Sequence, residues 1–233
     1  MIKLRPAQER GIANYGWLKS RHSFSFAEYY DPRFMGYSAL RVINDDRVEA
    51  GAGFPTHPHR NMEIVSYVLD GAMEHRDSMG YGSIIRPGDV QRMSAGTGVT
   101  HSEFNASDTE TLRFLQIWIM PNQNGLPPSY EQRHFDETER RGRLRLVASP
   151  DGSDGSITIH QDANLYAGLL SDGEQTSLTV DDQRKVYVHV ARGSVQLGDK
   201  PLHEGDGAYI ERQQELKLTG IKNGEVLVFD LPA

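Results

Sequence analysis

Histidines 57 and 59 stand one residue apart in FPTHPHRNMEIVSYVLDG (residues 54–71), and the same spacing recurs with His101 and Glu103 in GTGVTHSEFN. Side chains two residues apart on an extended strand project to one face, so each pair can aim both polar groups at a common point. Two such strands facing one another would gather three imidazoles and a carboxylate. Neutral imidazole suits Fe, Cu, Ni or Zn, and a carboxylate offsets part of the charge of a divalent ion. Four protein ligands on an octahedral ion leave two positions for a substrate and a second molecule such as dioxygen, whereas four ligands close a tetrahedral zinc. With nine histidines in 233 residues, a single H-x-H can arise by chance. The second pair gives the first its weight.

Strands must hold these pairs, and the rest of the chain supplies strand signals. Twenty-three glycines and eleven prolines separate short runs rich in Val, Ile, Leu, Phe and Tyr, the punctuation of an all-β protein. Expected strands include residues 39–43, 64–69, 73–77, 112–120, 144–148, 185–191, 194–197, 207–210, 215–218 and 226–231. The two halves repeat an order. YVLDGAMEHRDSMG followed by IRPGDVQRM reads as strand, Gly turn, strand and Pro-Gly-Asp turn. VHVARGSVQLGDKPLHEGDGAYI reads likewise, with Arg192-Gly193 as the hairpin turn. Between them, the polar YEQRHFDETERRGR (residues 130–143) reads as a connection.

Composition excludes several function classes. The absence of cysteine rules out disulfides, zinc fingers and iron–sulfur clusters, so any metal must be held by nitrogen and oxygen. A net charge of -7, with the only local basic cluster (Arg140, Arg141, Arg143, Arg145) set among glutamates, argues against direct nucleic-acid binding. No apolar run is long enough for a membrane span, and MIKLRPAQERGIANYG lacks the apolar core of a signal peptide, so a cytoplasmic protein is expected.

GAGFPTHPHRNMEIVSYVLDG, from Gly51, resembles the first cupin motif: a Gly, five residues, H-x-H, an acidic residue and a later Gly. GVTHSEFN resembles the end of the second, with Gly, two residues, His, three residues and Asn. More narrowly, GWLKSRHSFSFAEYYDP, LRVINDD, HPHRNMEIVSYVLDG and SAGTGVTHSEFN resemble the pirin family over residues 1–130, and the likeness continues more loosely through HQDANLY to the end. The resemblance implies two cupin barrels in tandem, each a jelly-roll-like double-stranded β-helix, with few short helices. Residues 1–130 would form the metal-binding barrel, 131–145 a linker, and 146–233 a degenerate barrel without ligands. It further implies His57, His59, His101 and Glu103 as ligands of one divalent ion, Fe(II) first, with Cu, Ni, Mn and Zn as alternatives.

By the same resemblance the activity would be that of a dioxygenase cleaving a flavonol such as quercetin, with release of carbon monoxide and with Glu103 as both ligand and general base. The alternatives are a non-enzymatic, metal- or redox-dependent regulator that docks a protein partner, and a cupin with another small substrate. Two residues depart from the family patterns. Glu63 falls one residue out of register with the cupin acidic position, which turns it off the ligand face and leaves it the role of holding an imidazole in its tautomer. Arg21 stands where pirins usually carry an aromatic. The remaining histidines (His22, His75, His134, His160, His189 and His203) read as packing residues, Trp118 as core strand with a face that could line the pocket, and Gly96 and Gly98 as the turn presenting His101.

Overall fold

The computed structural model describes residues 1–233, and its regular structure is almost wholly extended. The first half supplies β1 (Ile2–Arg5), β2 (Gly11–Asn14), β3 (Leu18–His22), β4 (Leu40–Val48), β5 (Gly53–His59) and β6 (Glu63–Asp70). It continues with β7 (Met73–Asp77), β8 (Gly82–Ile85), β9 (Asp89–Ser94), β10 (Val99–Asn105), β11 (Leu112–Ile119) and β12 (Ser129–His134). After a single helical turn, α1 (Glu137–Arg140), the second half begins with β13 (Leu144–Ser149), β14 (Ile157–Thr158), β15 (Asn164–Leu170) and β16 (Gln175–Thr179). It ends with β17 (Lys185–Leu197), β18 (Lys200–His203), β19 (Gly207–Glu211) and β20 (Glu215–Leu231). The chain is all-β, and no helix is long and apolar enough to cross a membrane.

In the first half, a seven-stranded sheet (β12-β9-β6-β11-β4-β3-β2) faces a four-stranded one (β5-β10-β7-β8). Alternation on β11 separates two environments. Leu115 and Ile117 enter a core of 25 buried residues shared with Leu165, Tyr187, Leu227 and Phe229, so the two halves pack through a common apolar layer. On the other face, Phe114 joins the barrel's own small core and Gln116 reaches Glu103.

The second half is one nine-stranded sheet in which two of the expected strand pairs turn out to be single strands. Arg192-Gly193 is not a hairpin: residues 185–190 pair with 226–231 while residues 194–197 pair with 218–222, so β17 and β20 run side by side throughout. Three register irregularities near Arg192 and Ser194, with Gly193 at φ +65°, bend β17 instead of reversing it. The ends of the first half also differ from the expected division. β1 pairs with β19 of the second sheet, and β12, which overlaps the expected linker, pairs with β9 of the first. Three of the four arginines of the basic cluster are paired, since Arg140 meets Glu225, Arg141 meets Glu137 and Arg145 meets Glu139.

His189 of β17 is a packing residue as expected, and an acid-sensitive one. It is fully buried and neither ring nitrogen has a hydrogen-bond partner. Burial, then the nearby Arg10, pushes its pKa down to about 3, with Asp45 pulling the other way. The unfolded chain, with histidine near its ordinary ~6.5, therefore binds the extra proton between those limits, and stability is lost as pH falls from about 6.5 towards 3. At ~1.36 kcal/mol per pH unit over roughly two units, His189→Leu should remove about 2.5 kcal/mol of the stability lost between pH 7 and pH 4.5. Urea unfolding at both pH values reads this directly, and parallel pH profiles for the two proteins would refute it.

Candidate metal centre

β10 lies between β5 and β7, with Val99, His101, Glu103 and Asn105 buried in strict alternation. Both of its ends are fixed. Ahead of it, Gly98 N–H donates to the Ala95 carbonyl at 2.9 Å, and Gly96 takes φ +47° where an added Cβ would run into the Leu126 carbonyl. Behind it, Asn105 Nδ2 donates to the carbonyls of Val48, Glu49 and Glu110 at 3.1, 3.2 and 2.7 Å. β5 is an edge strand, which tolerates Pro58 between the two histidines because no partner needs its missing N–H.

Pairing then sets the side chains against one another. His101 lies opposite His57, and Val99 opposite His59, across the β5 boundary; across the β7 boundary Glu103 lies opposite His75 and His101 opposite Asp77. The rings of His57, His59 and His101 sit with centroids 4.5–4.8 Å apart. His57 Nδ1 is 2.7 Å from the Pro55 carbonyl oxygen, so Nδ1 carries the proton and the Nε2 lone pair faces the cluster. His101 Nε2 approaches that atom to 3.0 Å.

Two of the three imidazoles are held neutral by their surroundings. Burial, then His57 and His75, pushes His101 down to about 3 against an opposing pull from Asp77; burial, then His101 and His57, lowers His59 to about 4. Neutral imidazole is the form that binds a metal. The spacing also fits one ion: two nitrogens bound at about 2.1 Å and at right angles lie roughly 3 Å apart.

Glu103 is close to this cluster but oriented by its own partners. Gln116 Nε2 donates to its two oxygens at 3.0 and 2.9 Å, and Ser66 Oγ donates to Oε1 at 3.2 Å. The potential donor atoms of His57, His59 and His101 form one group within 4.8 Å, and those of His75, His101 and Glu103 form a second, with His101 in both. Replacing Gln116 by Leu should release the carboxylate and weaken metal affinity by about 10–100-fold. Calorimetric titration of the metal-free protein checks it; unchanged affinity would show that Gln116 does not position this group.

His75 and His160 depart from the sequence reading, while Trp118 and Glu63 take up roles it left them. His75 is fully buried at the site, with Nε2 3.1 Å from Asp77 Oδ2 and Nδ1 unpartnered. Its signal was the H-x-D in MEHRD, which has the same period of two as the other pairs. Trp118 presents its edge to His59 at 5.1 Å and to Phe26 at 5.3 Å, so it lines the site as well as packing. Glu63 does hold an imidazole, though not one of the cluster: its Oε2 accepts from Ser94 Oγ at 2.9 Å and from His160 N at 3.1 Å, with His160 Nδ1 at 3.2 Å. His160, for its part, is no simple packing residue but a tie between the two halves.

Fold and site together define a two-domain cupin protein with a histidine metal site in its first domain. Residues 4–119 match the family described as Pirin, and residues 146–231 the family described as Quercetinase C-terminal cupin domain. The chain is 52% identical over 232 residues to quercetin 2,3-dioxygenase of Escherichia coli (strain K12), covering 100% of this chain and 99% of that protein. It is 40% identical over 231 residues to a pirin-like protein of Caulobacter vibrioides, covering 99% of each. The crystal structure of the bacterial pirin YhhW from Escherichia coli in complex with nickel(II) superposes with a TM-score of 0.95 at 51% identity, covering 100% of this chain and 99% of that one. The chain belongs to the pirin family.

Proposed function

We propose that this chain is a metal-dependent oxidoreductase that cleaves the central ring of a flavonol such as quercetin, one flavonol and one dioxygen giving one depside and one carbon monoxide. The observation that carries the reading is the cluster of converging imidazoles beside a buried carboxylate whose oxygens are both held by one amide. The name of the Escherichia coli relative supports it. His57, His59 and His101, with Glu103 as fourth, are the assigned ligands of one divalent ion, Fe(II) in the first instance. Bound there, the ion supplies Lewis acidity towards the substrate hydroxyl oxygen.

The protein's part is proton transfer and placement. Glu103 accepts the proton of the flavonol 3-hydroxyl, and the Gln116 amide and Ser66 hydroxyl fix the direction of its lone pairs. Phe26 and Trp118 offer aromatic edges and faces to a flat, fused-ring substrate. His57 and His59 are half-buried, so the cluster remains reachable from outside. Glu103→Gln should keep most of the metal and lose about 100-fold or more in turnover; equal loss of both would count against the dual role.

The deciding experiment is oxygen uptake and carbon monoxide release by anaerobically purified protein loaded with Fe(II) or, separately, Ni(II), with quercetin added. A His57→Ala, His59→Ala protein is the control. Uptake that disappears in the control supports the assignment. No uptake by either fully loaded protein overturns it.

A further inference from the structure

We propose that a cleft between the two halves of the molecule is a binding site for a small polyanion, whose phosphate or carboxylate groups are held by Arg10, Arg21 and Arg47. The cleft has a volume of about 370 Å³ and opens on the face of β3 and β4 that points away from the first barrel's interior. Five of its lining side chains are cationic, Lys19 and Arg113 completing the set, although the chain as a whole carries -7.

Pairing forces these charges together. Lys19 lies directly opposite Arg47, and Arg47 directly opposite Arg113, so three like charges form a row across β3, β4 and β11. Like charges in that relation destabilise a sheet. The nearby carboxylates offset the row unevenly: Lys19 meets the exposed Glu49 at 3.6 Å, and the two carboxylates of the cleft both go chiefly to Arg113. Asp45 is taken up by Arg113, at 3.0 Å on each oxygen, and Glu204 by the same guanidinium at 2.9 Å, with Arg47 only at 4.0 Å.

Arg10 is the group left short. Its side chain is only 6% exposed, its Nη1 stands 3.7 Å from Asp45 Oδ2, and that nitrogen makes no hydrogen bond. Gly205 gives the guanidinium its place, since any Cβ there would collide with Arg10 Nη2. Burial, and the neighbouring charges of Arg21 and Arg113, disfavour the Arg10 cation, while Asp45 favours it. An anion bridging Arg10, Arg21 and Arg47 offsets the excess positive charge of the cleft and relieves the repulsion along the row. Guanidinium groups suit oxyanions with paired oxygens, which points to phosphate or carboxylate rather than halide. The confined volume and the acidic remainder of the surface point to a small metabolite rather than a polynucleotide. The site shares no residue with the metal cluster, so it stands independently of the proposed reaction.

The test is calorimetric titration of the full chain with inorganic pyrophosphate and with citrate at constant ionic strength. It is repeated on a protein carrying Arg21→Gln and Arg47→Gln, two exposed positions whose replacement should not lower the anion-free urea midpoint. Single-site binding weakened about tenfold or more in the variant supports the proposal. Pyrophosphate alone binding identifies a phosphorylated ligand, citrate alone a carboxylate ligand, and both the shared chemistry. Failure of both to bind overturns it. Equal binding by the variant also overturns it, because the anion would then be sitting elsewhere, the metal included.

Discussion

Alanine at position 101 should weaken metal binding by more than about 100-fold, beyond the cost of losing an outer partner of a ligand, and should abolish oxygen uptake. His101 is the one residue common to both groups of converging donor atoms, and it is the imidazole whose Nε2 lies 3.0 Å from that of His57. Its loss therefore removes a donor from the centre of the cluster rather than from its rim. The fold should survive the change, because β10 is fixed by the turn before it and by the three Asn105 hydrogen bonds after it, none of which involves the imidazole. Metal content after dialysis, read beside the far-ultraviolet circular dichroism of the same sample, separates the two effects. A folded variant that keeps a full metal complement would remove His101 from the ligand set.

Asp45→Ala should cost about 3–5 kcal/mol of folding stability, the range for breaking a buried ion pair from one side. Asp45 is 6% exposed and accepts from Arg113 Nε and Nη2, both at 3.0 Å, while Arg113 Nη2 also donates to the Ala191 carbonyl of the second half at 3.2 Å. Burial by itself would raise the Asp45 pKa, but the hydrogen bonds and charge of Arg113, with Arg10 behind it, outweigh that and hold it below the ordinary carboxylate value. Without the carboxylate, Arg10 and Arg113 remain buried at the seam with less opposing charge. Asp45→Leu combined with Arg113→Met should recover much of the loss, because an apolar pair of similar volume leaves fewer stranded charges. Urea unfolding of both proteins provides the measure. A single-variant loss below about 1 kcal/mol would show that the pair does not anchor this seam.

What could be read in advance follows from how local each signal was. The period of two in His57-Pro58-His59 and in His101-Ser102-Glu103 sets which face each side chain occupies, and the convergence of the three imidazoles follows once β5 and β10 pair. The all-β character was equally local, written in glycine, proline and β-branched runs. His75 escaped because a lone histidine in MEHRD has no second imidazole two residues away; its partner, Glu103, belongs to a strand nearly thirty residues later in the chain. Gly193 misled because positive φ serves a hairpin and a bulge alike, and only the pairing with β20 tells them apart. Glu63 could be excluded from the ligand face by its register, yet nothing near it in sequence announces His160. The shared core and the anchoring of β1 on β19 are long-range pairings with no local mark.

That anchoring governs the order in which the molecule can be completed. Ile2 pairs with Ile210 and Arg5 with Gly207, so β1 leaves the ribosome well before the strand it joins. The first barrel can collapse around β3, β4, β6 and β11 while β1 waits with its backbone unpaired. Contacts so distant along the chain raise contact order and slow closure, and without β1 the β19 edge of the second sheet is unpaired. Docking of this short segment then closes the outer edge of the second sheet, so residues 2–5 find their backbone partners only once residues 207–210 are in place.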